Sequence, residues 1–172
     1  MIASRLLAVA SVAFIAAACE VPMAAPAPSP ASSPGARRAS SAVSRIFDLI
    51  NAERRHQGLP ALAYNSQLDE MATIQAQNMA RFQKMAHVIP EASLPTLADR
   101  ARHVAYPFGR LAENVALGYP DAETVVQGWM TSKGHRANIL NTDVVETGIA
   151  IARSSSGGLY YCQVFGRRLS SL

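Results

Sequence analysis

Four histidines, two cysteines and twelve acids are the residues of this 172-residue chain that could bind a ligand or move a proton near neutrality. Four of them stand in short segments that draw attention. His87 ends Lys84-Met85-Ala86-His87, and Glu113 lies in Leu111-Ala112-Glu113-Asn114-Val115. His135 lies in the run from Trp129 to Asn141, and Glu146 precedes Thr147-Gly148-Ile149. Two neutral imidazoles, His87 and His135, can ligate zinc, with water completing an open tetrahedral site. Glu113 could then orient one ring by accepting its other N–H, or activate the bound water. Without metal the same groups form a polar cluster that titrates near neutrality. No close pair such as His-Glu-x-x-His marks a zinc site from sequence alone.

Plainer roles stand beside these. Glu113 could tie a loop through backbone N–H groups, and Asn114 reads as a turn stabiliser. Ser132 and His135 could cap a short helical turn over Arg136–Leu140, since Ser is a usual N-cap. Trp129 reads as core, His103 as a loop residue and His56 as a helix-end residue. Cys162, within Tyr160-Tyr161-Cys162-Gln163-Val164-Phe165, reads as a small hydrophobe of a buried strand, because a nucleophilic cysteine needs an activating base.

These residues must be positioned by a small set of elements. Val43, Ile46, Phe47 and Ile50 recur at helical spacing, so a helix starts at Ser41 and stops before Gly58 and Pro60. Ser66 starts a second helix, with Asp69 as an acidic capping-box variant, and its buried stripe is Leu68, Met71, Ala72, Ala76, Met79 and Phe82. Asp121 caps a third, with Val125, Val126, Trp129 and Met130 on one face. The period then changes. Gly148–Ala152 and Leu159–Phe165 are β-rich runs joined by a Ser/Gly-rich connector, an antiparallel hairpin. Both runs are apolar at nearly every position, which calls for helices packed on the sheet. Helices followed by strands give an α+β domain.

The first forty residues are of another kind. Arg5 and the apolar run Leu6–Ala18 read as an export signal over residues 1–18, too short to favour a membrane span. Small residues Ala16-Ala17-Ala18 precede Cys19, a pattern similar to a bacterial lipobox although Ala16 replaces the usual leucine. Either acylation of Cys19 or plain cleavage follows from it. Residues 19–40, rich in Pro, Ala and Ser, read as a disordered tether. Residues 41–172 form the domain, long enough to build a core without staples. Without Arg5, Arg37, Arg38 and Glu20 the domain holds 13 basic and 11 acidic side chains. That balance speaks against nucleic acid as a partner.

The ordered set Glu113-Asn114-Val115, Trp129, Gly134-His135-Arg136-Ala137-Asn138-Ile139-Leu140 and Glu146-Thr147-Gly148 resembles the CAP superfamily, or SCP domain, of cysteine-rich secretory, antigen-5 and plant pathogenesis-related proteins, above all its bacterial branch. The resemblance covers about residues 41–168. It implies an α-β-α sandwich with a central antiparallel sheet flanked by helices. It also implies a cleft where His87, Glu113 and His135 converge. Ser132 stands where eukaryotic members carry a second acid, and Glu146 matches a glutamate of bacterial relatives. The resemblance points to a non-catalytic, envelope-facing binding module for a lipid, small molecule, glycan or protein partner, which acylation of Cys19 would hold at a membrane. A metal-dependent or acid/base hydrolase and a purely structural protein are the other readings. Zinc is the one cofactor the two imidazoles suggest.

Overall fold

The computed structural model describes residues 34–169. The signal segment, Cys19 and most of the tether lie outside them. Nine elements follow in order: α1 (Pro34–His56), β1 (Ala63–Tyr64), α2 (Ser66–Phe82), α3 (Leu97–His103), β2 (Phe108–Leu117), α4 (Ala122–Thr131), α5 (Lys133–Ile139), β3 (Glu146–Arg153) and β4 (Leu159–Arg168). The strands form one sheet in the order β1-β3-β4-β2. β4 pairs antiparallel with both β3 and β2, whereas the two-residue β1 runs parallel to β3. The sheet is therefore antiparallel except at one short edge.

Each face of the sheet carries its own core. Leu68, Met71, Ala76 and Met79 of α2 pack with Ala101 of α3 on Val115, Ala150, Cys162 and Val164. On the other face Ile46 and Ile50 of α1, Val125, Val126 and Trp129 of α4 and Ile139 of α5 pack on Ala116, Ile149, Tyr161 and Phe165. The strict alternation along β4 explains why that strand reads as continuously apolar, since both of its faces are covered. The result is the expected α-β-α sandwich.

Helix ends differ from expectation in instructive ways. α1 begins at Pro34, seven residues before Ser41. Ala36, Arg37, Arg38 and Ala39 are helix-forming residue types, and proline fits a first turn, so the helix continues into what composition marks as tether. The N-cap of α2 is Asn65, whose side chain accepts from the N–H groups of Gln67 and Leu68. Asp69 instead accepts from the Tyr64 hydroxyl. Asp121 caps α4 as expected, accepting from Thr124 N–H. Arg54, buried at the end of α1, donates to the carbonyls of Pro60, Ile139 and Asn141 and so ties α1 to the end of α5.

The start of α2 lies directly on β3. A Cβ built on Gly148 would overlap Asp69 N and the carbonyl carbon of Leu68. Both are backbone atoms of α2, which cannot yield as a flexible side chain would. Gly148→Ala is therefore expected to destabilise the domain by about 2–3 kcal/mol or more, since overpacking forces the backbone to shift. Urea unfolding of the variant against the parent measures it, and an unchanged midpoint would contradict this account of the α2–β3 contact.

Candidate functional site

Glu113 sits in the middle of β2, an edge strand, and points to the face covered by α2 and α3. Its side chain is only 3% exposed, and burying a carboxylate there demands a compensating charge. Arg100 of α3, fully buried, supplies it, donating from Nη2 to Oε2. Its Nη1 donates to Gln75 Oε1 on α2, and Gln75 Nε2 donates on to the carbonyl of Ala86. Arg100 Nε is buried with no hydrogen-bond partner among the described residues. One guanidinium thus joins α3, α2, β2 and the segment that carries His87.

That segment starts where Gln83 adopts a left-handed conformation and ends α2. The chain then runs in irregular backbone through His87 and is pinned again by Ile89, fully buried. His87 Nδ1 meets Glu113 Oε1 at 2.9 Å. An ionised carboxylate can only accept, so Nδ1 carries a proton; Nε2 keeps its lone pair in the neutral ring and donates in the imidazolium. The ring is 55% exposed, so Nε2 is open to a ligand. The hydrogen bond to Glu113 raises the His87 pKa, although burial opposes it, while the carboxylate charge adds to the rise and Arg100 counters it. Met85 and Val88, both exposed, flank this histidine.

Beneath Glu113 lies Cys162, fully buried on β4, with Sγ 3.5 Å from Oε2. Burial pushes its thiol well above the ordinary range, and the charge of Glu113 adds to the effect. A thiol so placed is the small hydrophobe that its strand implies, not a nucleophile.

The other face of β2 holds α5. Asn114, fully buried, donates to the His135 carbonyl and accepts from Asn138, whose Nδ2 also contacts the main-chain oxygen of Glu113 (3.2 Å). Trp129 is core, as expected, and its Nε1 donates to the carbonyl of Val115. Edge carbonyls of β2 are thereby satisfied by side chains in place of a further strand. Glu113 and Asn114 are strand residues, not the loop tie and turn stabiliser considered above, because the β2 ladder takes up that stretch. His135, half-buried on α5, comes within electrostatic reach of His87. Burial lowers its pKa, and the charge of His87 lowers it further.

Ser132 falls between α4 and α5 in the N-cap position, yet its side chain makes no capping hydrogen bond. Glu146 lies on the same face as Glu113 but in a different polar group. It accepts from Asn65 Nδ2 and the Tyr106 hydroxyl, and Arg168 Nε stands 3.5 Å away. Tyr106 in turn covers Gly166, where an added Cβ would meet its hydroxyl at 2.5 Å. His87 and Glu113 are thus hydrogen-bonded, His135 stands within electrostatic reach of His87, and Glu146, two rungs along the sheet on β3, belongs to a separate polar group with Asn65, Tyr106 and Arg168. His103 ends α3, and His56 ends α1; both are exposed. Among the described residues no group of three or more His, Cys, Asp or Glu side chains is placed to hold a metal ion. A zinc ion at this site would have the two imidazoles alone, fewer protein ligands than a catalytic zinc takes.

Arg100, Gln75 and Asn138 are the site residues that sequence reasoning did not assign. A signal for Arg100 existed. Thr96 and Asp99 form a reciprocal capping box, with Thr96 accepting from Asp99 N–H and Asp99 accepting from Thr96 N–H. That pattern marks a helix start four residues before the arginine.

Two expectations follow. Arg100→Met should cost about 3–5 kcal/mol, because it strands a buried carboxylate. Adding Glu113→Gln should recover part of that loss, so a double-mutant cycle by urea unfolding returns a coupling well above experimental error. Additive losses would show that the pair does not act as one. The histidines give opposite pH signatures. The raised pKa of His87 in the folded state means its contribution is complete below about pH 6.5 and is lost as pH rises through the folded value. The destabilisation caused by His87→Gln should thus be larger at about pH 5.5 than at about pH 9. The depressed pKa of His135 has the reverse sign, so His135→Gln should gain stability relative to the parent as pH falls. Parallel pH profiles for the two variants would contradict the assignment.

Known proteins resemble this chain in sequence and in fold. The model of the cysteine-rich secretory protein family, CAP, matches residues 47–165. Two proteins of Bacillus subtilis strain 168 are similar. The uncharacterised protein YkwD is 33% identical over 65% of this chain and 43% of its own length. The uncharacterised membrane protein YlbC is 32% identical over 72% of this chain and 34% of its own. The chain thus spans less than half the length of these curated relatives. Among solved structures, an extracellular SCP-domain protein from Bacillus anthracis superposes with a TM-score of 0.69 at 30% identity, covering 81% of this chain and 45% of that one. An outer surface protein of Borrelia burgdorferi gives the same TM-score at 20% identity over 75% and 94% of the two chains, a likeness of fold.

Proposed function

The chain belongs to the cysteine-rich secretory protein (CAP) family, and from that premise we propose that it is an exported binding module that holds a ligand at the His87–His135 cleft without turning it over. One observation carries this reading. Both oxygens of Glu113 are committed, Oε1 to His87 and Oε2 to Arg100 and Cys162, so the carboxylate orients an imidazole and is not free to take a proton from water. The position of a second acid is Ser132, which lacks a carboxylate.

The cleft suits a ligand with a hydrogen-bond donor for His87 Nε2 and an apolar part against Met85 and Val88. A lipid, a small molecule, a glycan or a protein partner can present both. Export rests on residues 1–18 of the sequence, and the B. anthracis relative, an extracellular protein, supports it. Anchoring in the cell envelope would come from acylation at Cys19. Among the described residues no helix is long and apolar enough to cross a membrane.

Purified protein should release a co-purified ligand on denaturation, and a lipid and glycan panel should contain a compound that raises its melting temperature. His135→Ala should abolish that shift while leaving the unliganded melting temperature within a few degrees. Absence of any ligand and of any shift would sink the binding reading. Turnover of a panel compound by the parent and not by His135→Ala would assign the cleft to a hydrolase. Loss of stability in Glu113→Ala with no ligand found would assign the cluster a structural role.

A further inference from the structure

Four Lys and Arg side chains from Ser41 onward make no hydrogen bond, ion pair or ring contact within the described structure: Arg55, Arg110, Lys133 and Arg136. Three of the four are on β2 and α5, which pack together along the free edge of the sheet. All three are exposed. Arg110 also stands directly across from Arg167 of β4 in the strand register. Like charges so opposed cost stability. Arg167 is nevertheless held there, its guanidinium donating to the carbonyls of Asp143 and Thr142.

Acids do not balance this edge. Glu113 is the single acid of β2, and Arg100 neutralises it, while α5 has none. Asp143 is the acid beside Arg167, and its main-chain oxygen is the group Arg167 contacts.

The spacing selects the ligand. Asn114 holds α5 through the His135 carbonyl, and it lies four residues along β2 from Arg110, about 14 Å in an extended strand. Cations anchored that far apart along one edge suit a chain with repeated charges better than a single small anion. Guanidinium groups match phosphate oxygens in planar, two-point fashion. We propose that the β2–α5 edge binds a linear, non-nucleic polymer whose repeat carries a phosphate, with Arg110, Arg167, Lys133 and Arg136 as its contacts. This surface shares α5 with the His87–His135 cleft but does not use His87, Glu113 or His135 as contacts, so variants of the two sets of residues tell the two ligands apart.

Inorganic polyphosphate is the probe, titrated against the full-length protein at several salt concentrations. Binding is expected, with log K falling linearly in log salt. The triple variant Arg110→Gln/Lys133→Gln/Arg136→Gln should bind at least tenfold more weakly, and the salt slope should shrink by about 2, given roughly 0.7 per phosphate contact on a single chain. Arg55→Gln, which removes the unpartnered cation elsewhere, should bind as the parent does, and so should His87→Ala. Equal affinity in parent and triple variant would overturn the proposal. So would equal binding of orthophosphate, tighter binding to phosphatidylglycerol vesicles, or tighter binding of a DNA strand of matched charge.

Discussion

The domain is organised around a carboxylate that cannot be left alone. Glu113 projects from an edge strand into the face sealed by α2 and α3, where an unpaired charge would be strongly unfavourable. Arg100 meets that demand, and meeting it fixes much else. α3 must sit where its guanidinium reaches β2, and Gln75 must sit where it can satisfy the second nitrogen. The amide of Gln75 then holds the Ala86 carbonyl, which sets the position of His87. The histidine that faces solvent is thus placed by three residues that do not.

The edge strand serves two purposes at once. Its α2/α3 face contributes Glu113, and its α5 face contributes Asn114 to hold the segment bearing His135. Side chains rather than a neighbouring strand satisfy its outward carbonyls, and an edge closed in this way resists pairing with other chains. The two histidines are therefore delivered from opposite faces of the sheet to one rim. Their opposed titration follows from that placement. His87 gains a carboxylate partner, and His135 gains only partial burial and a neighbouring imidazole.

The helices α1, α2 and α4 were legible because each buries one continuous face and so writes a period into the sequence, and the β3–β4 hairpin because both its faces are covered and its strands read as unbroken apolar runs. β2 was not, since its N-terminal half is exposed and carries Gly109 and Arg110, which blur any alternation. β1 has two residues and no pattern to show. Within the site, His87, Glu113 and His135 stand out as residue types, and the Glu-Asn-Val, Gly-His-Arg-Ala-Asn and Glu-Thr-Gly motifs place them in a family. The partner of Glu113 did not stand out. A buried arginine looks like any surface arginine in sequence, and Arg100 sits between Asp99 and Arg102, which are an exposed ion pair. Glu146 shows the reverse case. It is a motif residue whose contacts are Asn65, Tyr106 and Arg168, a polar group separate from the one around Glu113. Gly148, by contrast, has its physical reason in the backbone of α2 lying against it.

Cys162 has a consequence for where this protein can work. It is the one free cysteine among the described residues, and it is sealed under Glu113. Oxidants and disulfide-exchange partners react with thiolates that they can reach, and this sulfur is neither ionised nor reachable. The domain's integrity therefore depends on no disulfide, no oxidase or isomerase to form one, and no reductant to protect its thiol. A fold named for its cysteines is here indifferent to the redox potential of the compartment that receives it.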